Sequence, residues 1–222
     1  MAGNTEVRPH DAAGSLADRA YAVLRDRLIV LDIAPGSPIN DERVGTELGL
    51  GRTPVREALK RLEADHLVAA YSRRGTFATP VDITDLAEIS EIRERLEPLA
   101  ASRAARLASP ATRAELRALA DTLEERGLQS GDPRDAMRYD MQVHRSIYSA
   151  SGSRHLEDTL VRYDNLATRI WCVVLDRLPS VSEHVVEHIH LLRLIADGHA
   201  DAAEAAARQH VVEFERLIRS VL

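Results

Sequence analysis

The sequence predicts a mainly α protein: an N-terminal winged helix-turn-helix followed by an all-α antiparallel helical bundle. Three observations carry this. Aromatic residues make up only 4% of the 222 residues, while Ala, Leu, Arg and Glu are abundant; that balance favours helices packed on aliphatic faces over a sheet. From Thr84 onward the apolar positions recur with a helical period almost without interruption. Before that point, helix, short helix, tight turn, helix and hairpin follow one another within about 65 residues, the order of a winged helix-turn-helix unit.

The elements read as follows. Ser15 caps an apolar stripe of Leu16, Ala20, Val23, Leu24, Leu28 and Leu31, closed by the Pro35-Gly36 turn. A short helix near 41–48 leads into Gly49-Leu50-Gly51. The next helix opens with Thr53 as its expected N-cap and Pro54 at the first helical position. Its inner stripe is Val55, Ala58, Leu59 and Leu62, and its outer face carries Arg52, Arg56, Lys60 and Glu63. Leu67–Tyr71 and Thr76–Thr79 flank Ser72-Arg73-Arg74-Gly75 and predict a β-hairpin with an arginine-rich tip. Caps at Thr84, Ser109-Pro110, Asp132-Pro133, Gly152, Pro179-Ser180 and Gly198 then divide the remainder into helices near 85–107, 110–127, 133–151, 154–178, 181–197 and 200–220. Connections this short make successive helices antiparallel. The expected domains are a flexible tail (1–14), the winged unit (15–80) and the helical unit (81–222).

Composition narrows the function classes. Hydrophobic residues at 45% and charged ones at 29% are ordinary for a folded soluble chain. No apolar run approaches the roughly 20 residues that span a bilayer. The N-terminal stretch is polar and carries acids, unlike a secretory or transit signal, so a cytoplasmic protein without a membrane partner is expected. One cysteine, Cys172, excludes an internal disulfide framework and a four-cysteine zinc site. The net charge of −6 is uneven: residues 1–80 hold 11 basic and 11 acidic side chains, so the whole deficit lies in 81–222. Within 51–80, six basic residues face three acidic ones, a local basic face that directs contact to one end.

In a helix-turn-helix the second helix enters the major groove with its N-terminal residues at the base edges. Arg52, Thr53 and Arg56 occupy that end. Arginine can bond a guanine edge through two parallel donors, whereas Thr hydroxyls and helix N-terminal amides hold phosphates. The expected DNA-binding set is Arg43, Arg52, Thr53, Arg56, Arg73, Arg74 and Gly75.

The residues also carry a resemblance. Gly49-Leu50-Gly51-Arg52-Thr53-Pro54-Val55-Arg56-Glu57-Ala58-Leu59, preceded by Pro35-Gly36 and followed by Leu62, Leu67-Val68 and Arg74-Gly75-Thr76-Phe77, resembles the GntR family of bacterial transcription regulators. Arg93-Glu94-Arg95-Leu96-Glu97-Pro98-Leu99-Ala100 is similar to the opening of the all-helical C-terminal domain of its FadR-type, or FCD, branch. Departures from the pattern are Gly51 for the usual Ser or Thr, Asp41 for Glu, Gly45 for Ala, Ser153 for Asn and His199 for Asp.

Two metal readings compete among the nine histidines. His184-Val185-Val186-Glu187-His188 has the spacing of the inverted zinc-protease motif, with Glu187 as a general base; only 34 residues follow it, too few for such an enzyme. The other set is Asp140, His144, His188 and His210. Asp140 and His144 lie one helical turn apart. His188 and His210 are a helix, a Gly turn and a helix back apart, so their rings return to similar height. One carboxylate and three imidazoles suit Zn²⁺, Ni²⁺ or Mn²⁺, one ion per subunit. The resemblance implies the same set, because metal-binding members of the family hold an ion with an Asp and three histidines. It also implies that Arg93 faces the cavity and pairs with an acidic effector; the competing reading is a surface salt bridge to Glu97.

Together these features lead to an expected homodimeric transcription regulator, a repressor by family resemblance. It would bind a pseudo-palindromic double-stranded operator under control of a small carboxylate effector. The alternatives are a metal-dependent hydrolase using the Asp/His site, and a DNA-binding protein whose helical unit is only a dimerisation scaffold.

Overall fold

Ser15 opens the first helix reciprocally: its Oγ accepts from Asp18 N (3.1 Å), and its own N–H donates to Asp18 Oδ2 (2.9 Å). The structure is a computed structural model that describes residues 14–126, 133–178 and 182–222. The expected tail up to residue 13 and the caps at Asp132 and Pro179-Ser180 lie outside the described residues. The chain divides into two compact units, one formed by the chain up to Arg27 and by Gly36–Thr79, the other by Leu28–Pro35 and Pro80–Leu222. Leu28–Pro35, the end of the first helix and the turn after it, groups with the second unit. Within it Asp32 pairs with Arg138 (3.0 Å) and Arg134 (3.5 Å).

In the first unit, α1 (Leu16–Ile29), α2 (Asp41–Leu48) and α3 (Arg52–Ala64) are joined by a small antiparallel sheet. β2 (Val68–Tyr71) and β3 (Gly75–Ala78) form the expected hairpin, with Tyr71 opposite Gly75. An unexpected third strand, β1 (Pro38–Ile39), pairs with the other edge of β3. Two residues are too short for any alternation to show in sequence. Asn40 caps α2, its Oδ1 accepting from Glu42 N and Arg43 N, both at 2.9 Å. Gly49 ends it in the left-handed conformation (φ 65°). The turn comes so close to α2 that a Cβ on Gly45 would stand 2.8 Å from the Leu50 carbonyl oxygen.

α3 corrects one expectation. Its N-cap is Gly51, extended and offering no side-chain oxygen, so Thr53 lies inside the first turn. Pro54 still costs nothing, because the first four N–H groups of a helix have no intrahelical partner. Val55, Ala58, Leu59 and Leu62 are buried as the stripe required.

The second unit contains α4 (Leu86–Leu107), α5 (Pro110–Arg126), α6 (Pro133–Ala150), α7 (Arg154–Val174), α8 (Ser182–Asp197) and α9 (Ala200–Arg219). α4 is the central helix, packed on α9, α7 and α6, while α5 packs on α8. Its face of Ala100, Ala101, Ala104 and Ala105 is fully buried. Asp82, rather than Thr84, supplies the cap before α4, its Oδ1 accepting from Thr84 N (2.9 Å). Ser153, in place of the family's Asn, still caps α7, its Oγ accepting from Leu156 N (3.4 Å). α7 stops at Val174, short of the expected 178, and tightens into a 3₁₀ turn over Leu175–Arg177.

Two arginines complete helices that would otherwise be left short of donors. Pro98 lies inside α4 and has no N–H for the Glu94 carbonyl; Arg208 Nη1 from α9 donates to that oxygen at 3.3 Å. Arg113 spreads its guanidinium over Ala105 O (2.6 Å), Ala108 O (3.1 Å) and Ala196 O (3.1 Å), tying α5 to the C-terminal ends of α4 and α8.

Candidate DNA-binding face and buried histidine centre

The outer face of α3 is exposed at Arg52, Thr53 and Arg56. Both arginines turn toward the start of α2. Arg52 Nη2 lies 3.4 Å from Asp41 Oδ1, and Arg56 Nε donates to Asp41 Oδ2. The Arg56 contact first, and the Arg52 charge after it, hold the Asp41 carboxyl below the usual carboxylate range. Sequence reasoning missed this pairing: Asp41 is 11 residues from Arg52, and only the tight turn at Gly49-Leu50-Gly51 brings it back. Arg43 is well exposed (82%), with its Nε donating to Glu47 at 3.1 Å.

At the wing, Arg73 (φ 62°) and Gly75 (φ 91°) make the tight reversal. Arg74 stands 5.8 Å from the Tyr71 ring and 5.9 Å from the Phe77 ring, a shelf that holds a cation outward. Asp41, Arg56, Lys60, Arg74 and Gly75 line one groove between α3 and the wing. Arg61 does not join this face. It stacks 4.0 Å from the Tyr21 ring and bonds Asp18 at 2.6 Å.

In the helical unit the structure brings Asp140, His144, His188 and His210 together. α6 supplies the first two, α8 and α9 one each, and all four are at most 4% exposed. One donor atom of each lies within 4.8 Å of the others. His144 Nε2 and His188 Nε2 are 3.1 Å apart, and Asp140 Oδ1 stands 3.6 Å from the latter and 3.9 Å from the former. Ligands bound about 2.1 Å from one ion are spaced about 3.0–3.4 Å for octahedral to tetrahedral angles, so the observed spacings fit a small divalent cation with a slight contraction. His155, His190 and His199 are exposed; the side chain of His184 lies outside the described residues.

The hydrogen bonds around the centre fix the proton on His144. Arg93 Nε donates to Glu97 Oε1 at 2.6 Å, and Tyr148 OH donates to the same oxygen at 3.0 Å. With its one proton committed there, Tyr148 accepts from His144 Nδ1–H at 3.0 Å. His144 Nε2 is then the bare nitrogen, and it is the one facing the other donors. Burial, with the Asp164 charge next, pushes the Asp140 carboxyl well above its ordinary range.

Arg93 is 2% exposed, which replaces the surface salt bridge of the competing sequence reading with a buried one. It holds Glu97 and, at 3.6 Å, Asp164, and its carbon lies 4.8 Å from the Phe214 ring. Its Nη1 has no hydrogen-bond partner among the described residues. Glu97, His144 and Asp164 also approach one another closely enough to share a metal, but the Arg93 guanidinium already supplies the cation there. Burial drives the Asp164 carboxyl up to about 7 despite Arg93. Tyr148 and Asp164 gave no signal in sequence, and Glu97 showed there only as a surface partner of Arg93, since only the packing of α4, α6 and α7 makes the three neighbours.

Residues 16–78 match the bacterial regulatory proteins of the gntR family, and residues 88–213 match the FCD domain. The chain belongs to the GntR family, in its FCD branch. It is 26% identical over 191 residues to an uncharacterized HTH-type transcriptional regulator in an unstable DNA locus of Streptomyces ambofaciens, covering 86% of this chain and 80% of that protein. It is 23% identical over 223 residues to the HTH-type transcriptional repressor RspR of Escherichia coli K12, covering 100% and 95%. Among solved structures, E. coli McbR/YncC shares the fold with a TM-score of 0.80 at 20% identity, over 94% of this chain and 99% of that one. This GntR protein is a transcription regulator with a winged helix-turn-helix and an FCD domain. It is not an enzyme, and the hydrolase alternative falls with the family. Among the described residues no helix is long and apolar enough to cross a membrane.

Proposed function

We propose that this regulator acts in the cytoplasm as a metal-containing, ligand-responsive homodimeric repressor. The observation that carries the reading is the buried set of three imidazoles and one carboxylate on three helices of an FCD domain. Asp140, His144, His188 and His210 would hold one divalent ion per subunit, Zn²⁺, Ni²⁺ or Mn²⁺. Bound there, the ion supplies positive charge and, at coordination above four, a position that a small organic acid can occupy. Arg93 supports the acid reading through its buried Nη1, a donor still available to a carboxylate.

In the winged unit, Arg52 and Arg56 read base edges, while Arg43, Thr53, Arg73, Arg74 and Gly75 hold the backbone of each half-site. A two-fold dimer reads a pseudo-palindrome. The acid controls binding by having different affinity for the DNA-competent and DNA-released populations.

The test is selection of bound DNA from a random library by wild-type protein and by the Arg52→Ala/Arg56→Ala double variant, followed by titration of organic acids into the metal-loaded complex. The wild type is expected to yield a pseudo-palindrome that an acid releases. Each lost bidentate base contact costs about 1–3 kcal/mol and relaxes one base pair. The same consensus and affinity from the double variant would overturn the base-reading assignment.

A further inference from the structure

Glu187 precedes the ligand candidate His188 in sequence, yet its carboxylate reaches a different ring. Its Oε2 lies 3.1 Å from Nδ1 of His210 on α9. A carboxylate has no proton to give, so Nδ1 of His210 carries the hydrogen and Nε2 is left as the lone-pair nitrogen. Tyr148 does the same for His144 through its own commitment to Glu97. Two candidate ligand rings are thus held by outer partners in the same tautomer, His210 by a residue of α8 and His144 by residues of α4 and α6.

The two partners differ in their surroundings. Tyr148 is 1% exposed, whereas the Glu187 side chain is 49% exposed. The ligand candidates themselves are at most 4% exposed. Glu187 therefore couples a buried ring to a half-solvated carboxylate, whose loss leaves no buried charge uncompensated.

We propose that Glu187 is a positioning residue of the metal centre: it fixes the tautomer and orientation of His210 and raises the basicity of its Nε2. This rests on the metal reading above. The pairing also gives the glutamate of the His-x-x-Glu-His pattern a role in holding a ligand, in place of a general base. Outer-sphere carboxylates on metal-bound histidines are worth about 10–100-fold in metal affinity.

The experiment measures Zn²⁺ affinity of the full chain by competition with a chromophoric chelator, together with the visible absorption of the Co²⁺ form. The proteins compared are wild type, Glu187→Ala, Glu187→Gln and, as a control carboxylate on α9, Glu204→Ala. Glu187→Ala is expected to weaken Zn²⁺ binding by about 10–100-fold and to shift the Co²⁺ spectrum, with the metal-free melting temperature unchanged. Glu187→Gln keeps an acceptor oxygen and is expected to recover part of the loss; Glu204→Ala is expected to match wild type. Equal Zn²⁺ affinity and identical Co²⁺ spectra in wild type and Glu187→Ala would overturn this inference while leaving the metal reading intact. Failure of the wild type to take up either ion would overturn both.

Discussion

Arg93 shows what a single residue carries in this domain. Its guanidinium faces Glu97 at 2.6 Å and Asp164 at 3.6 Å, all three side chains at most 4% exposed. Removing one member of a buried ion cluster leaves the others uncompensated, at a cost of about 3–5 kcal/mol. Arg93→Ala is therefore expected to lower the stability of the helical unit by that amount in denaturant titration, with Arg93→Lys recovering part of it. A loss below about 1 kcal/mol, the size of an average substitution, would show that Glu97 and Asp164 do not depend on this cation. Effector binding by Arg93→Ala has meaning only beside that stability measurement. At this scale sequence reasoning found the residues that a helical period or a motif places: Asp140 with His144, and the Arg52 to Arg56 face. It missed Asp41, Tyr148, Asp164 and the contact of Glu187 with His210, because each acquires its partner from a turn or from a second helix.

Elements were more legible than contacts. The helix spacing and the Pro, Gly and Ser caps locate α4, α5, α6, α8 and α9 nearly to the residue, since a cap is a local hydrogen bond written into local sequence. α7 alone ends four residues earlier than expected, because its end tightens into a 3₁₀ turn. What local sequence does not contain is a cap supplied from elsewhere. Arg113 is the case in point: one planar fork reaches three terminal carbonyls on two helices. Lysine has the charge but not the fork. Each such bond contributes about 0.5–1.5 kcal/mol, so Arg113→Lys is expected to destabilise the helical unit by about 2–3 kcal/mol, measured by thermal unfolding. Stability equal to wild type would mean that water, with Arg117 Nη2 at Ala196 O (3.0 Å), serves those carbonyls equally well. β1 was illegible for another reason, being a two-residue strand defined only by its pairing with β3.

For the whole molecule the decisive question is whether the four donors of the helical unit act on the folded state as one metal site. An ion that binds only the folded form stabilises it by about 2.7 kcal/mol at a hundredfold excess over its dissociation constant. For a unit of this size, that displaces the melting temperature by about 5–10 °C. The two compact units need not unfold together, so the shift belongs to the transition of the helical unit, with the winged unit as internal reference. Metal-loaded protein is expected to lose that increment on addition of a strong chelator and to regain it with Zn²⁺, Ni²⁺ or Mn²⁺. His210→Ala removes a proposed ligand without touching the Arg93 cluster or the Tyr148 bond to His144, so it is expected to abolish most of the chelator-dependent difference. DNA binding at fixed salt separates the two functions. The phosphate contacts proposed for Arg43, Arg73 and Arg74 set the salt slope, which His210→Ala should leave unchanged even as the metal increment disappears. Identical melting of wild type with chelator and with excess metal would defeat the metal site, and a salt slope altered by His210→Ala would defeat the independence of the phosphate contacts from it.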